Sequence, residues 1–136
     1  YLQNPVIGQA LFDVANAVAS SSLSPRTREI VTLAVGGLWG SEYELYAHKL
    51  LAGLVGVPDD AIESLANGQA PVGLTGNDLI AAQFVQQLMS THHVDDDLYD
   101  AAVAAFGQVG VVDMVNLAGT YLGASAMLNA FEIPVP

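Results

Sequence analysis

A histidine and nearby acidic and hydroxyl side chains in the first half of the chain have types and spacings suited to proton transfer. Ser41, Glu44 and His48 are three and then four residues apart, which would place their side chains on one stripe of a helix. Histidine can accept and donate a proton near neutral pH, and a carboxylate one turn away can orient its ring. Glu29 is a second candidate carboxylate, from the preceding helix. We therefore predict that His48, Glu44 and Glu29 are the catalytic residues.

Each of these side chains also has a purely structural interpretation. Ser41 and Glu44 fit a capping box at the start of a helix. Glu29 lies three residues after Arg26 and fits an ion pair on the same helix, and His48 alone fits a half-buried histidine. Spacing by itself leaves both interpretations open.

The stripe that carries the polar residues continues into apolar ones, Ala52 and Val55. A few polar groups beside an apolar floor are typical of a ligand pocket. The sequence therefore predicts a pocket for a small molecule beside His48. We predict that it is lined by four substrate-binding residues: Ser41, Tyr43, Arg28 and Asn116.

A metal site and an organic cofactor are not predicted. His92 and His93 precede Asp95, Asp96 and Asp97, but adjacent histidines point in different directions, and acidic residues favour the first turn of a helix. The chain has no glycine-rich phosphate loop or nucleotide fingerprint. We expect no metal ligands and no cofactor.

Charge and cysteine content exclude several classes of function. The net charge is -11, and the permanent cations are Arg26, Arg28 and Lys49, too few for a basic face that would bind nucleic acid or an anionic membrane. The chain has no cysteine, so it can form no disulfide and no thiolate nucleophile. Such a composition fits the cytoplasm, where we expect the protein to reside.

The elements that would position these residues are helices throughout. Helical periodicity predicts an all-α bundle of about seven helices in a single domain, residues 1–136. The predicted core face of the third helix consists of Tyr43, Tyr46, Ala47, Leu50, Leu51 and Leu54. Gly107 is expected to end the sixth helix. Apolar residues make up 52% of the chain, more than a lone domain needs, which favours an oligomer. The predicted helices begin or end near Pro5, Ala19, Pro25, Gly40, Ser41, Gly56, Pro58, Asn67, Thr75, Asp95, Gly110 and Phe131.

Four segments resemble the carboxymuconolactone decarboxylase family, which includes the alkylhydroperoxidase D-like (AhpD-like) proteins. Residues 23–34 (LSPRTREIVTLA) resemble the family's opening helix, and residues 41–48 (SEYELYAH) resemble its central motif. Residues 106–115 (FGQVGVVDMV) and 128–134 (LNAFEIP) resemble its last helix and tail. The resemblance covers roughly residues 20 to 136 and implies an AhpD-like helical fold that assembles as a trimer or hexamer.

The same comparison separates two branches of that family. In the peroxidase branch, a glutamate precedes two cysteines three residues apart and a histidine four further on. Glu29 and His48 match that glutamate and histidine, whereas Ser41 and Glu44 stand at the cysteine positions. A proton relay could persist with these side chains, but a thiol peroxidase cycle cannot, because serine and glutamate do not exchange electrons.

The resemblance to the decarboxylase branch implies a cofactor-independent lyase or isomerase. The sequence predicts proton transfer by His48 with Glu29 and Glu44 on a small lactone or unsaturated carbonyl or acid substrate, and a homo-oligomer, either a trimer or a hexamer, as the assembly. The alternative is a non-catalytic family member that binds a small molecule or acts as a scaffold. That alternative predicts a closed hydrogen-bond network at His48 with no open cavity beside it.

Overall fold

The structure is a computed structural model that describes residues 3–136, and within that range every regular element is a helix. Six helices follow one another along the chain. The sixth was expected as two helices separated at Gly107. Gly107 has a non-helical backbone (φ 69°, ψ 169°) that kinks the element there, so α6 consists of two helical segments that meet at this residue. The helices are α1 (Pro5–Ala19), α2 (Pro25–Trp39), α3 (Glu42–Leu54), α4 (Asp59–Ala66), α5 (Gly76–Thr91) and α6 (Asp96–Ala130).

The second helix begins and ends where its sequence predicts. The Ser24 side chain accepts a hydrogen bond from the Thr27 backbone N–H at 3.0 Å, and Pro25 occupies the first helical position. Gly40 ends α2 in the left-handed conformation (φ 59°, ψ 37°), which glycine adopts without a steric penalty. These two ends set the bounds of α2, the helix that carries Glu29.

The central element of the fold is α2, which packs against α3, α4, α5 and α6. Five of its apolar side chains are completely buried. A Cβ atom at Gly37 would collide with the backbone carbonyl oxygen of Leu65 on α4, so this glycine allows the two helices to approach closely. The buried apolar residues of α2 are Ile30, Val31, Leu33, Ala34 and Val35.

The predicted core face of α3 is wrong. Leu50 is 68% exposed and Leu54 is 75% exposed, whereas His48 and Ala52 are buried against the rest of the protein. The apolar periodicity correctly marks one face of the helix, but the narrow stripe of His48 and Ala52 is the face that meets the core. Tyr43 and Ala47 are half-buried, and Tyr46 and Leu51 join the exposed face.

The first helix is loosely attached. It packs mainly against α6, and Val18 is its one buried residue. Val6, Ile7 and Phe12 are exposed large apolar side chains on it. An apolar surface of this kind is unusual for an isolated domain.

One helix, α6, is long and apolar enough to cross a membrane, with a mean hydropathy of 1.5 over a window that is 33% buried. This is a weak indication, because core helices of soluble proteins share these properties. In this fold α6 places Met114, Leu117 and Ala118 in the hydrophobic core.

Candidate functional site

The predicted catalytic histidine lies on α3 and faces α2. Its ring nitrogen Nδ1 is 2.7 Å from Oε2 of Glu29, a residue one turn into α2. Both side chains are largely buried, with 11% of the His48 side chain and 16% of the Glu29 side chain exposed. The alternative pairing of Glu29 with Arg26 does not occur, because Arg26 pairs with Asp78 at 2.6 Å.

Glu44 completes this arrangement from the opposite side of the imidazole ring. Its Oε2 atom is 3.3 Å from Nε2 of His48, one turn further along α3. Each ring nitrogen therefore faces a carboxylate oxygen, which requires both nitrogens to carry a proton for the two contacts to be favourable at once. The three side chains form a cluster that we call the carboxylate–histidine cluster.

The environment of His48 favours its charged form. Burial lowers its pKa, but the hydrogen bonds and negative charges of Glu29 and Glu44 outweigh this effect and raise the pKa to about 9. At neutral pH, His48 is therefore an imidazolium cation, ready to donate a proton rather than to accept one.

A cavity of about 500 Å³ opens beside the cluster, which is within the size range of small-molecule sites. His48 and Glu29 line it, whereas Glu44 lies behind the histidine ring and is absent from its wall. The first helix and the second half of α6 supply most of the apolar lining. Those apolar residues are Leu11, Ala15, Val18, Ala19, Leu51, Leu117, Ala124 and Met127.

Tyr121 is a residue of this site that the sequence did not single out. Its ring meets the His48 ring edge to face, with the centroids 5.0 Å apart and an angle of 88° between the planes. It lines the same cavity. Burial, followed by the charges of Glu44 and Glu29, raises the pKa of Tyr121, so its hydroxyl remains a hydrogen-bond donor. No local motif marks it, because it lies 73 residues after His48 in the sequence.

The structure brings one of the four predicted substrate-binding residues to the cavity. Arg28 lines it, and its Nη1 donates a hydrogen bond to the Leu23 carbonyl oxygen at 2.8 Å. Lys49, by contrast, pairs with Glu63 at 3.1 Å on the surface between α3 and α4. Arg28 is therefore the permanent cation that faces the cavity.

The other three predicted substrate-binding residues do not line the cavity. Ser41 is completely buried, its hydroxyl has no hydrogen-bond partner, and it makes no side-chain cap at the start of α3. The predicted capping box with Glu44 is therefore absent. Tyr43 is half-buried. Asn116 is exposed and donates to the Val112 carbonyl oxygen, although Thr120, one turn later, does reach the cavity wall.

Among residues 3–136, no group of three or more histidine or acidic side chains is arranged so that it could hold a metal ion. His92 and His93 are both exposed, and His92 ends α5 in the left-handed conformation. The predicted absence of a metal and of a cofactor stays a prediction.

The fold is shared with a protein of known structure. The chain superposes on a crystal structure from Agrobacterium tumefaciens with a TM-score of 0.87, covering 98% of this chain and 93% of that one at 17% sequence identity. That protein is of unknown function and has been provisionally described as the antioxidant defence protein AhpD. At this identity the likeness establishes the AhpD-like helical fold. No curated protein matches the sequence significantly.

The family model of the carboxymuconolactone decarboxylase family matches residues 5–87. This range covers more than half of the chain and includes Arg28, Glu29, Glu44 and His48. The sequence motifs, the helical fold and this match agree with one another. The chain therefore belongs to the carboxymuconolactone decarboxylase family, as a member that has no cysteine.

Proposed function

We propose that this protein is a cofactor-independent lyase or isomerase that moves a proton on a small lactone or unsaturated carbonyl or acid substrate. The observation that carries the proposal is the position of His48, held between the carboxylates of Glu29 and Glu44 at the wall of a cavity. An acid and a base beside an apolar cavity are what a proton transfer at carbon requires.

We assign separate roles to the members of the cluster from their contacts. Both nitrogens of His48 face carboxylates, so its ring has no free lone pair for a substrate. Glu29 lines the cavity, and among the described residues only its Oε2 atom is engaged in a hydrogen bond. Oε1 of Glu29 is therefore the base that takes a proton from the carbon next to a carbonyl group.

The proton then has a short path. As Glu29 accepts a proton from carbon, the electron pair of the broken C–H bond moves toward the substrate carbonyl oxygen. The protonated Glu29–His48 pair returns a proton to another carbon of the same conjugated system, which completes an isomerisation. In a decarboxylation, the bond to the departing carboxylate breaks, CO₂ leaves, and the electron pair of that bond stays in the conjugated system. The proton that His48 holds then passes through Glu29 to carbon, and the Glu29–His48 pair regains a proton from water. Glu44 holds the second nitrogen of His48 and keeps the ring charged.

A thiol mechanism is not available to this chain. Ser41 and Glu44 occupy the positions at which the peroxidase branch resembled by the sequence has cysteines, and the chain has none. The Ser41 hydroxyl is buried away from the cavity. Family membership alone is therefore no reason to assign a peroxidase activity.

The first testable prediction is exchange of carbon-bound hydrogen. Lactones and enones incubated with the protein in D₂O should gain deuterium next to the carbonyl group, as detected by NMR or mass spectrometry. Glu29→Gln should lower the rate by at least about 100-fold, the usual contribution of a general base. His48→Gln should also slow exchange.

Glu63→Gln is the matched control, because Glu63 is an exposed carboxylate paired with Lys49, away from the cavity. It should exchange at the wild-type rate. Retention of full activity in Glu29→Gln would contradict the assigned base.

A second candidate function is non-catalytic binding. One observation favours it: both nitrogens of His48 are engaged by carboxylates. The cavity beside His48, however, counts against a scaffold protein that has no ligand pocket. A ligand that binds to the cavity with no exchange in wild-type protein, across the whole panel, would favour this second function.

A further inference from the structure

The cations of this acidic chain are not equivalent. Arg26 pairs with Asp78, and Lys49 pairs with Glu63. Arg28 forms no ion pair within residues 3–136, yet it lines the cavity. The chain has 14 acidic residues and three permanent cations. A guanidinium group without a carboxylate partner is therefore unexpected, and its position at the cavity suggests a reason.

The guanidinium group of Arg28 has capacity to bind more than it does. Its Nη1 donates to the Leu23 carbonyl oxygen, and no other hydrogen bond involves the group among the described residues. Arginine carries five N–H donors in a planar fork. That fork matches the two oxygens of a carboxylate, and the pairing is among the stronger ones that proteins make.

The rest of the cavity wall is mostly apolar. Leu11 and Val18 of α1 lie on one side, and Leu117 and Met127 of α6 on another, with Leu51 contributed by α3. These side chains offer no hydrogen bonds and favour an alkyl or aryl body. A second anionic group on the ligand would meet the carboxylate of Glu29, and the His48 cation beside it is already paired with Glu29 and Glu44.

We propose that the cavity binds an amphipathic monocarboxylate, with its carboxylate on Arg28 and its apolar body along α1 and α6. This inference rests on the proposed function in one respect: it names the substrate class of the same site. The single unpaired cation sets the number of carboxylates at one, and the apolar wall requires a hydrophobic body.

Calorimetric titration with unreactive probes tests the proposal in wild-type protein. Octanoate should bind at least tenfold more tightly than octanamide, which has the same body without the charge, and than octanedioate, which carries a second carboxylate. Shortening octanoate to hexanoate should weaken binding by up to about fourfold for each methylene group removed. Equal or tighter binding of octanamide, or no binding of any of these probes, would overturn the proposal.

Two variants locate the anchor. Arg28→Gln should lose the preference for octanoate over octanamide, and Lys49→Gln, which removes a cation outside the cavity, should keep it. If Arg28→Gln does not fold, Arg28→Lys provides the second variant: it keeps the charge but loses the planar fork, so the preference should fall and remain measurable. An unchanged preference in a folded Arg28 variant would refute the role of Arg28.

Glu29→Gln separates this inference from the proposed function. It should bind octanoate at least as tightly as wild type while losing hydrogen exchange. If octanoate binds but no substrate undergoes hydrogen exchange, the proposed ligand class is supported and the proposed proton-transfer function is refuted. If uncharged lactones undergo exchange but octanoate does not bind, the proton-transfer function is supported and the proposed ligand class is refuted.

Discussion

At the scale of single residues, the main feature is a histidine whose two nitrogens face two carboxylates. Burial alone would make His48 neutral at physiological pH, since a charged imidazole loses its hydration in the interior. Two carboxylates within 3.3 Å reverse that outcome. The positive charge between them also offsets the repulsion between the carboxylates of Glu29 and Glu44, so the cluster depends on the proton that His48 holds.

This arrangement predicts how stability depends on pH. The pKa of His48 is raised from 6.5 to about 9, so the folded state binds this proton more tightly than the unfolded chain. The resulting stabilisation, at most on the order of 3 kcal/mol, is fully present below pH 6.5 and is lost as the pH rises through 9. Urea unfolding of wild-type protein should therefore show the free energy of unfolding falling between pH 6.5 and 9.5.

His48→Gln is the comparison that isolates the histidine. Every other titrating group is shared by the two proteins, so the difference between their pH profiles reports on this proton. That variant should lack the decline in the same window. Parallel profiles in the two proteins would show that His48 does not hold its proton in the folded state.

Residue-level sequence reasoning identified part of this site. Glu29, Glu44 and His48 were predicted together from helical spacing and a family motif, and the structure brings them into contact. Tyr121 was missed, because a contact between distant positions leaves no local pattern. Ser41 was predicted to contact substrate, because its spacing places it on the same helical stripe as Glu44 and His48. Spacing cannot show that the side chain at this end of α3 is completely buried.

At the scale of helices, close packing of α2 against α4 fixes the register that points Glu29 at His48. The contact depends on Gly37, where a side chain would collide with the Leu65 carbonyl oxygen. Backbone cannot move aside as a flexible side chain can, so even one added methyl group forces the two helices apart.

Gly37→Ala should therefore destabilise the protein by about 2 kcal/mol or more. Gly53→Ala is the matched control, because a Cβ at Gly53 of α3 would meet no atom within 4 Å. There the higher helix propensity of alanine should stabilise by about 0.5–1 kcal/mol. In thermal or urea unfolding, the two substitutions should therefore change the free energy of unfolding in opposite directions. Equal effects would contradict a close contact at Gly37.

Helix ends were more predictable than helix faces. Ser24–Pro25 and Gly40 bounded α2 as expected, since capping is a local interaction between neighbouring residues. The core face of α3 was misassigned, because apolar periodicity marks a hydrophobic face of a helix but does not show whether that face packs inside the same chain. The break expected at Gly107 is present as a kink, where the backbone of this glycine leaves the helical conformation and two helical segments meet.

At the scale of the whole molecule, strong acidity and a large apolar surface occur together. Leu50 and Leu54 on α3, like Val6 and Phe12 on α1, are exposed in the single chain. Charged residues do not interrupt the Leu50–Leu54 turn. We propose that copies of this chain associate through such surfaces as a trimer or hexamer, because burying their apolar side chains offsets the repulsion between molecules that each carry a charge of -11.

Light scattering coupled to gel filtration tests this assembly. Wild-type protein at micromolar concentration should have three or six times the mass of the 14.1 kDa chain. Substituting Leu50→Glu together with Leu54→Glu should reduce the mass, because buried unpaired charges are costly. Val72→Glu, at an exposed apolar position in the loop before α5, should not. A monomeric wild type would refute the proposal.

The first helix supplies part of the cavity wall, yet buries only Val18 in its own fold. Filling the cavity would therefore give α1 apolar neighbours that it otherwise lacks. Ligand binding in the cavity and packing of α1 against the rest of the protein are therefore coupled equilibria, and each one favours the other. The order of α1 is thus a gauge of occupancy, so that this helix responds to what binds beside Arg28 and Glu29.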